Sequence, residues 1–160
     1  MWSHGSVVGL CENHFDVAVS NEARIARLRD AASSASLACY PRYSGFKVLA
    51  AVERIDGNVY GGANVEIVNF SLTKHAEEAA ALAAIADGAL QLGDRWLAAV
   101  YTWGAPPCGS CRQFLWEWAA PDATCFIENT SSGEGTRELL LSSLLPEPFD
   151  LAALPDRRPA

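Results

Sequence analysis

Hydrophobic positions along this chain switch between two rhythms, and the order of the switches outlines a fold. Ile25, Leu28, Ala32 and Ala35 recur at helical spacing, which predicts a helix over residues 21–38 with Asn21 as its cap. Tyr40-Pro41-Arg42-Tyr43-Ser44-Gly45 reads as a loop. Residues 46–53 read as a strand, Asp56-Gly57 as a hairpin turn and residues 58–65 as the returning strand. An alanine-rich helix follows over 75–91, then a strand over 96–103. Pro106 and Pro107 precede a helix over 108–118, and residues 124–128 form a further strand. Residues 129–135 are a polar, Gly/Ser-rich loop, and 136–145 a short strand or helix. Helix, hairpin, helix, strand, helix, strand predicts an α/β domain whose sheet lies between helices. Residues 1–20 show no clear period and read as an irregular arm, 21–150 as one domain, and 151–160 as a loose tail.

Composition narrows the picture. The chain has 160 residues, half of them apolar, enough for one domain with a real core. Its net charge is −7 and it has no basic run, which argues against stable DNA or RNA binding, since a polynucleotide needs its phosphates neutralised. No apolar stretch approaches the roughly 20 residues of a membrane span. The first 20 residues lack the basic start and apolar core of a secretory signal. Of five cysteines, Cys39 and Cys125 sit among apolar residues and read as buried thiols. A reducing cytoplasm is the expected location.

The candidate chemistry lies in two motifs, His75-Ala76-Glu77 and Pro107-Cys108-Gly109-Ser110-Cys111. Two residues on a helix subtend about 200°, so His75 and Glu77 converge only if His75 stands at a helix start. Thr73 precedes it as a possible cap. Cys108 and Cys111 share a face of a first helical turn. Both pairs would then lie at helix N-termini, where free N–H groups and the positive dipole end favour thiolate. Two thiolates and an imidazole are three zinc ligands with a fourth position open to water, the arrangement of a catalytic site. Glu77 is then free to act as general acid and base. A redox dithiol is the alternative for the cysteine pair alone. A closed structural site stays open as well, with Cys11, Cys39, Cys125, His4 or His14 as the fourth ligand; that reading gives a non-catalytic zinc-binding assembly domain.

H-x-E followed by P-C-x-x-C is the signature of zinc-dependent nucleobase deaminases. With four ordered matches along it, the chain resembles the cytidine deaminase family from about Tyr43 to Phe149. Tyr43-Ser44-Gly45-Phe46-Lys47-Val48 is similar to the family's Y-S-x-F-x-V stretch. Asp56-Gly57 with Gly62-Ala63-Asn64-Val65-Glu66 resembles D-G…G-x-N-x-E. Pro107 to Phe114 resembles P-C-G-x-C-R-Q and a hydrophobic residue, and Leu144 to Phe149 resembles the closing L-L-P-x-x-F. The resemblance implies a three-layer α-β-α fold with a mixed sheet of about five strands. It implies one Zn²⁺ per subunit and hydrolytic deamination at carbon 4 of a cytosine nucleoside, with Glu77 protonating ring nitrogen 3. It implies that Asn64 and Glu66 bind the ribose 3′-hydroxyl and that Phe46 packs on the base. By the same likeness the Ala76 N–H faces the 2-carbonyl, and Phe149 reaches a neighbouring subunit's site.

The chain departs from the family pattern at several positions. His75 stands where compact tetrameric members usually carry Cys, and Glu78 where three-cysteine members commonly carry Arg. Leu49 replaces a usual Gly beside the substrate strand, where the larger side chain is expected to reshape the pocket or press on a subunit contact, and Ile67-Val68-Asn69-Phe70 replaces N-A-S-Y. The leading substrate is cytidine or deoxycytidine. The alternative is a modified cytosine nucleoside: a blasticidin-type or cytosylglucuronate-type antibiotic, or a methylated cytidine. Phe149 and the tryptophans Trp2, Trp96, Trp103, Trp116 and Trp118 suggest a homo-oligomer, a tetramer in preference to a dimer.

Overall fold

The computed structural model describes residues 20–88, 95–128 and 135–150. The expected arm, tail and Gly/Ser-rich loop therefore lie outside the described residues, save Ser20 and Gly135. Among the described residues there are three α-helices: α1 (Asn21–Ser34), α2 (Ala76–Ala86) and α3 (Gly109–Trp116). Five strands, β1 (Leu49–Arg54), β2 (Val59–Ala63), β3 (Leu97–Trp103), β4 (Ala119–Glu128) and β5 (Arg137–Leu140), form one sheet in the order β2-β1-β3-β4-β5. The β1–β2, β1–β3 and β4–β5 pairs are antiparallel, and β3–β4 is parallel with α3 in the crossover. The sheet is mixed, as expected.

Strand alternation builds the layers. Leu49, Ala51, Ala63, Ala99, Tyr101 and Phe126 face Leu28 and Ala32 of α1. Val52, Val100, Cys125 and Ile127 face the other way, onto Ala80, Ala81 and Ala84 of α2 and Leu115 of α3. The result is an α-β-α sandwich with a separate apolar core on each face of the sheet. Alanine on the inner face of α2 lets that helix lie close to the strands, which sets the depth of the residues at its start.

Several boundaries differ from the sequence expectation for local reasons. The cap of α1 is Ser20, whose Oγ accepts from the Ala23 N–H at 3.3 Å. The Asn21 amide instead donates to the Glu138 carboxylate. The helix tightens into a 3₁₀ turn at Ala35–Ala38, after the Ser34 hydroxyl bonds back to the Asp30 carbonyl. The first strand begins at Leu49 instead of residue 46; before it the Asn64 side chain bonds the Phe46 carbonyl and the Val48 N–H, while the Val48 carbonyl accepts from the Asn64 N–H at 3.2 Å. The second ligand helix ends at Trp116, before the expected 118. Strand β4 starts five residues before 124: Leu97 pairs with Ala119 but Ala99 with Thr124, so exposed Pro121 and Asp122 bulge out of the ladder. Residues 136–145 are both strand and helix, β5 followed by a 3₁₀ turn at Leu141–Leu144. Helix α2 ends at Ala86, followed by Gly88 at φ +90°, so it stops short of residue 91.

Two adjacent glycines decide how closely the layers meet. A Cβ on Gly61 would lie 2.1 Å from the Ala31 carbonyl oxygen of α1. A Cβ on Gly62 would lie 2.3 Å from the Ala80 nitrogen and 2.4 Å from the Ala76 carbonyl oxygen of α2. Both obstacles are helix backbone, which cannot swing aside as a side chain can. Gly62→Ala is expected to push α2 off the sheet at a cost of about 1–3 kcal/mol. Thermal unfolding should show a midpoint lowered by several degrees; an unchanged midpoint would contradict the close packing.

Candidate active site and metal centre

The start of α2 is delivered to the site by a closed loop. Val65 and Lys74 exchange backbone hydrogen bonds at 2.9 and 3.0 Å, which brings His75 back beside Asn64 and Glu66. His75 is the N-cap residue of α2, in extended conformation, so its ring leaves the helix axis and can meet a side chain from the first turn. Glu77 in that turn is 3% exposed. Thr73 does not cap the helix; its hydroxyl accepts from the Ile67 N–H at 3.3 Å and closes the loop. At α3 the N-cap is Cys108, whose sulfur accepts from the Cys111 N–H at 3.5 Å.

The three expected ligands meet. His75 Nδ1 lies 3.2 Å from Cys111 Sγ and 3.2 Å from Cys108 Sγ, and the two sulfurs are 3.4 Å apart. Among the described residues this is the one cluster of His, Cys, Asp or Glu whose ligand atoms lie within 4.8 Å of one another. Glu77 Oε2 sits 3.5 Å from Cys111 Sγ. Burial raises the Glu77 carboxyl above its ordinary value. Burial, then the charge of Glu77, pushes the Cys111 thiol well up. Two thiols, an imidazole and a carboxyl packed this closely form a donor set suited to a divalent cation. One nitrogen and two sulfurs suit Zn²⁺. Cys39 and Cys125 do not join the cluster; Cys125 is a buried packing thiol pushed up to about 12 by burial. His4, Cys11 and His14 lie outside the described residues.

A cavity of about 240 Å³ opens beside the cluster. Its wall includes His75, Ala76, Glu77, Cys108, Phe46, Asn64 and Glu66, seven of the nine residues singled out from the sequence. Cys111 is buried behind it. Phe149 is not on the wall. It is 61% exposed, and its backbone is clamped by Gln113, which donates to the Phe149 carbonyl at 2.7 Å and accepts from its N–H at 3.0 Å. Phe46 lies outside the strand with half its surface exposed, so it is a wall residue of the pocket and no core residue.

On the same wall, Asn64 and Glu66 are buried and extensively bonded. Asn64 Oδ1 accepts from the Val48 N–H at 3.0 Å, and Nδ2 donates to the Phe46 carbonyl at 3.0 Å. The Glu66 carboxylate accepts from the Ser44 hydroxyl, and from the N–H groups of Tyr43 and Ser44 at 2.6 and 3.0 Å. Those bonds, the Ser44 hydroxyl first, hold it below the usual carboxylate range.

Other expectations need correcting. Cys39 is half-buried and donates its S–H to Asn64 Oδ1 at 3.1 Å, so it is not simply a packing thiol. Leu49 is buried against α1 on the opposite face of the sheet and does not reshape this cavity. Glu78 lies 3.9 Å from the Lys74 ammonium, which offsets its charge. The described tryptophans are buried or half-buried and pack inward; Trp96 and Trp118 stack with ring centres 6.2 Å apart. Exposed apolar surface lies instead at Ile67, Val68, Phe70 and Leu72, between the wall residues Glu66 and Thr73. Ser44, Val48, Thr73 and Pro106 complete the wall and were not singled out from the sequence. Ser44 was legible as the serine of the quoted Tyr-Ser stretch, but its bond to a carboxylate 22 positions away was not.

Comparison with known proteins points to one family. A family model described as the cytidine and deoxycytidylate deaminase zinc-binding region matches residues 23–127. A cytidine deaminase of Mycobacterium tuberculosis is 37% identical over 135 residues, covering 82% of this chain and 93% of that one. A cytidine deaminase of Halalkalibacterium halodurans is 34% identical over 110 residues, 69% of this chain and 82% of the relative. The crystal structure of cytidine deaminase from Burkholderia pseudomallei superposes with a TM-score of 0.68 at 32% identity, covering 78% of this chain and 98% of that one.

Removing one sulfur should empty the cluster. Cys108→Ala is expected to lose zinc after dialysis, measured by elemental analysis beside the parent protein. A full complement of zinc in that variant would refute the ligand set.

Proposed function

This chain belongs to the cytidine deaminase family and is a hydrolytic deaminase, and from that premise we propose that it converts cytidine or deoxycytidine to the matching uracil nucleoside and ammonia. The observation that carries this reading is a buried carboxyl, Glu77, set against the His75–Cys108–Cys111 cluster on the wall of a cavity lined by Asn64 and Glu66. One Zn²⁺ per subunit, held by His75, Cys108 and Cys111, supplies Lewis-acid activation of water.

Glu77 takes the proton of the attacking water and gives it to ring nitrogen 3 as carbon 4 is attacked. It then passes a further proton to the departing amine, so that ammonia leaves and the carbonyl forms. Burial supports this shuttle, because a carboxyl drawn up from its ordinary value is a stronger base when charged and keeps the proton it takes until the next acceptor is presented. The Ala76 N–H, in the first turn of α2, has no intrahelical acceptor and is available for the pyrimidine 2-carbonyl. Phe46 supplies an apolar face for the base.

The sugar end has a defined hydrogen-bonding character. Asn64 Nδ2 has one N–H left after its bond to Phe46, and the Glu66 carboxylate keeps accepting capacity after its bonds to the 43–44 turn. A secondary alcohol that accepts from Asn64 and donates to Glu66 fits both, which supports a ribose or deoxyribose hydroxyl there. Among the described residues the wall holds no lysine or arginine and carries two carboxyl side chains. That favours a nucleoside over a nucleotide, and the net charge of −7 disfavours polynucleotides. Leu49 lies away from the cavity and so lends no support to a modified-nucleoside substrate. No helix among the described residues is long and apolar enough to cross a membrane. The free thiols of the cluster suit a reducing cytoplasm.

Assembly of identical chains completes the reading, with a tetramer favoured over a dimer. The exposed row Ile67, Val68, Phe70 and Leu72 beside the cavity, and the clamped, outward Phe149, are apolar groups that a second copy would cover. Sedimentation at micromolar concentration should give an oligomer; a monomer would overturn this part.

Turnover is followed by the loss of cytosine absorbance in the ultraviolet. The zinc-loaded protein should act on cytidine or deoxycytidine in preference to methylated cytidine or a blasticidin-type nucleoside; the reverse order would change the substrate and leave the reaction. Glu77→Gln should keep its zinc and lose roughly 10²- to 10⁴-fold in kcat. A variant with more than a tenth of parental turnover would sink the role given to Glu77.

A further inference from the structure

Cys39 lies between α1 and β1, outside every motif quoted above, yet its sulfur is directed at the sugar end of the cavity. Its Sγ is 3.1 Å from Asn64 Oδ1, which also accepts from the Val48 N–H at 3.0 Å. An amide oxygen has two lone pairs, so both are taken. The Asn64 nitrogen gives one hydrogen to the Phe46 carbonyl and keeps one. Asn64 is 8% exposed and lines the cavity. The backbone holds the pair in register: the Tyr40 N–H donates to the Asn64 carbonyl at 2.9 Å, and the Glu66 N–H to the Tyr40 carbonyl at 2.9 Å.

We propose that Cys39 is a positioning residue for substrate recognition: its thiol saturates the Asn64 amide oxygen, so that Asn64 meets the substrate only as a hydrogen-bond donor. The consequence is directional. A sugar hydroxyl must accept from Asn64 and can donate only to Glu66, which fixes its rotor and its place. Without the thiol, a buried amide oxygen keeps an unfilled lone pair that competes for the hydroxyl proton. Burial raises the Cys39 thiol above its ordinary value, so it stays protonated and able to donate at neutral pH. Sulfur is a weak donor, so the effect is on binding and is modest.

This inference rests on the sugar-binding reading of Asn64, and the test separates the two. Steady-state kinetics are compared for the zinc-loaded parent, Cys39→Ala, Cys39→Ser and Asn64→Ala on cytidine and on 2′,3′-dideoxycytidine, which lacks the hydroxyl. Cys39→Ala should raise KM for cytidine about 3- to 10-fold with kcat within about twofold. Cys39→Ser, which keeps a donor, should restore it. On the dideoxy substrate the parent and Cys39→Ala should have equal kcat/KM. A shift of the same size on both substrates would show that Cys39 merely supports the fold, and no shift on cytidine would also overturn the proposal. If Asn64→Ala leaves KM for cytidine unchanged, the sugar-binding reading itself fails, a result distinct from failure of Cys39 alone.

Discussion

Three metal-ligand atoms and a buried carboxyl are brought together at the starts of two helices, and the rest of the structure exists to hold them there. Left to itself, such a cluster is unfavourable. Burial opposes ionisation of Cys111 and Glu77, and the charge of Glu77 further opposes that of Cys111. A divalent cation held by His75, Cys108 and Cys111 would reverse the balance, because its charge would offset the thiolates and leave the Glu77 carboxyl free to trade a proton. Two helix starts contribute in the same sense, since α2 and α3 both aim unpaired N–H groups at this end of the sandwich. Metal binding and the reactivity of Glu77 are in this account one electrostatic problem with one solution.

The fold solves the positional side of that problem with small residues and borrowed hydrogen bonds. Gly61 and Gly62 admit helix backbone from both faces of the sheet, so α2 lies deep and His75 starts from a fixed height. The Val65–Lys74 bridge returns the chain to the end of β2, which puts the ligand helix next to Asn64 and Glu66. Arg112, directly after Cys111, donates to the Pro107 and Leu144 carbonyls at 2.8 and 3.0 Å. It thereby locks the cysteine turn to the C-terminal segment, and Gln113 extends the lock to Phe149. The proposed catalytic and binding groups sit mainly at strand ends and helix starts, where the surrounding elements fix their backbone.

Much of this was legible from residue order. The apolar runs of β1 and β3, the Asp56-Gly57 turn and the alanine run of α2 each obey a local rule, and each formed the expected element, with β1 and α2 shorter than read from the sequence. The metal cluster was legible because its chemistry needs fixed residue types at short spacing, and helix starts solve the spacing. The missed features depend on partners far apart in sequence. Nothing near residue 46 signals that the side chain of Asn64 would bond its carbonyl. Pro121 and Asp122 look like a turn, and only the Leu97–Ala119 pairing makes them a bulge inside a longer strand. Cys39 reads as one more apolar thiol until the fold sets it against an amide 25 positions on. The tryptophans looked like a sticky surface because composition cannot tell an outer face from an inner one.

The most direct test of the central claim is X-ray absorption at the zinc edge on the purified, zinc-loaded protein. The account predicts two sulfurs at about 2.3 Å, one imidazole nitrogen near 2.0 Å, and a fourth light atom that is exchanged when a small anion is added. A shell made wholly of protein sulfur and nitrogen and insensitive to added anions, or a protein that binds no zinc, would contradict it.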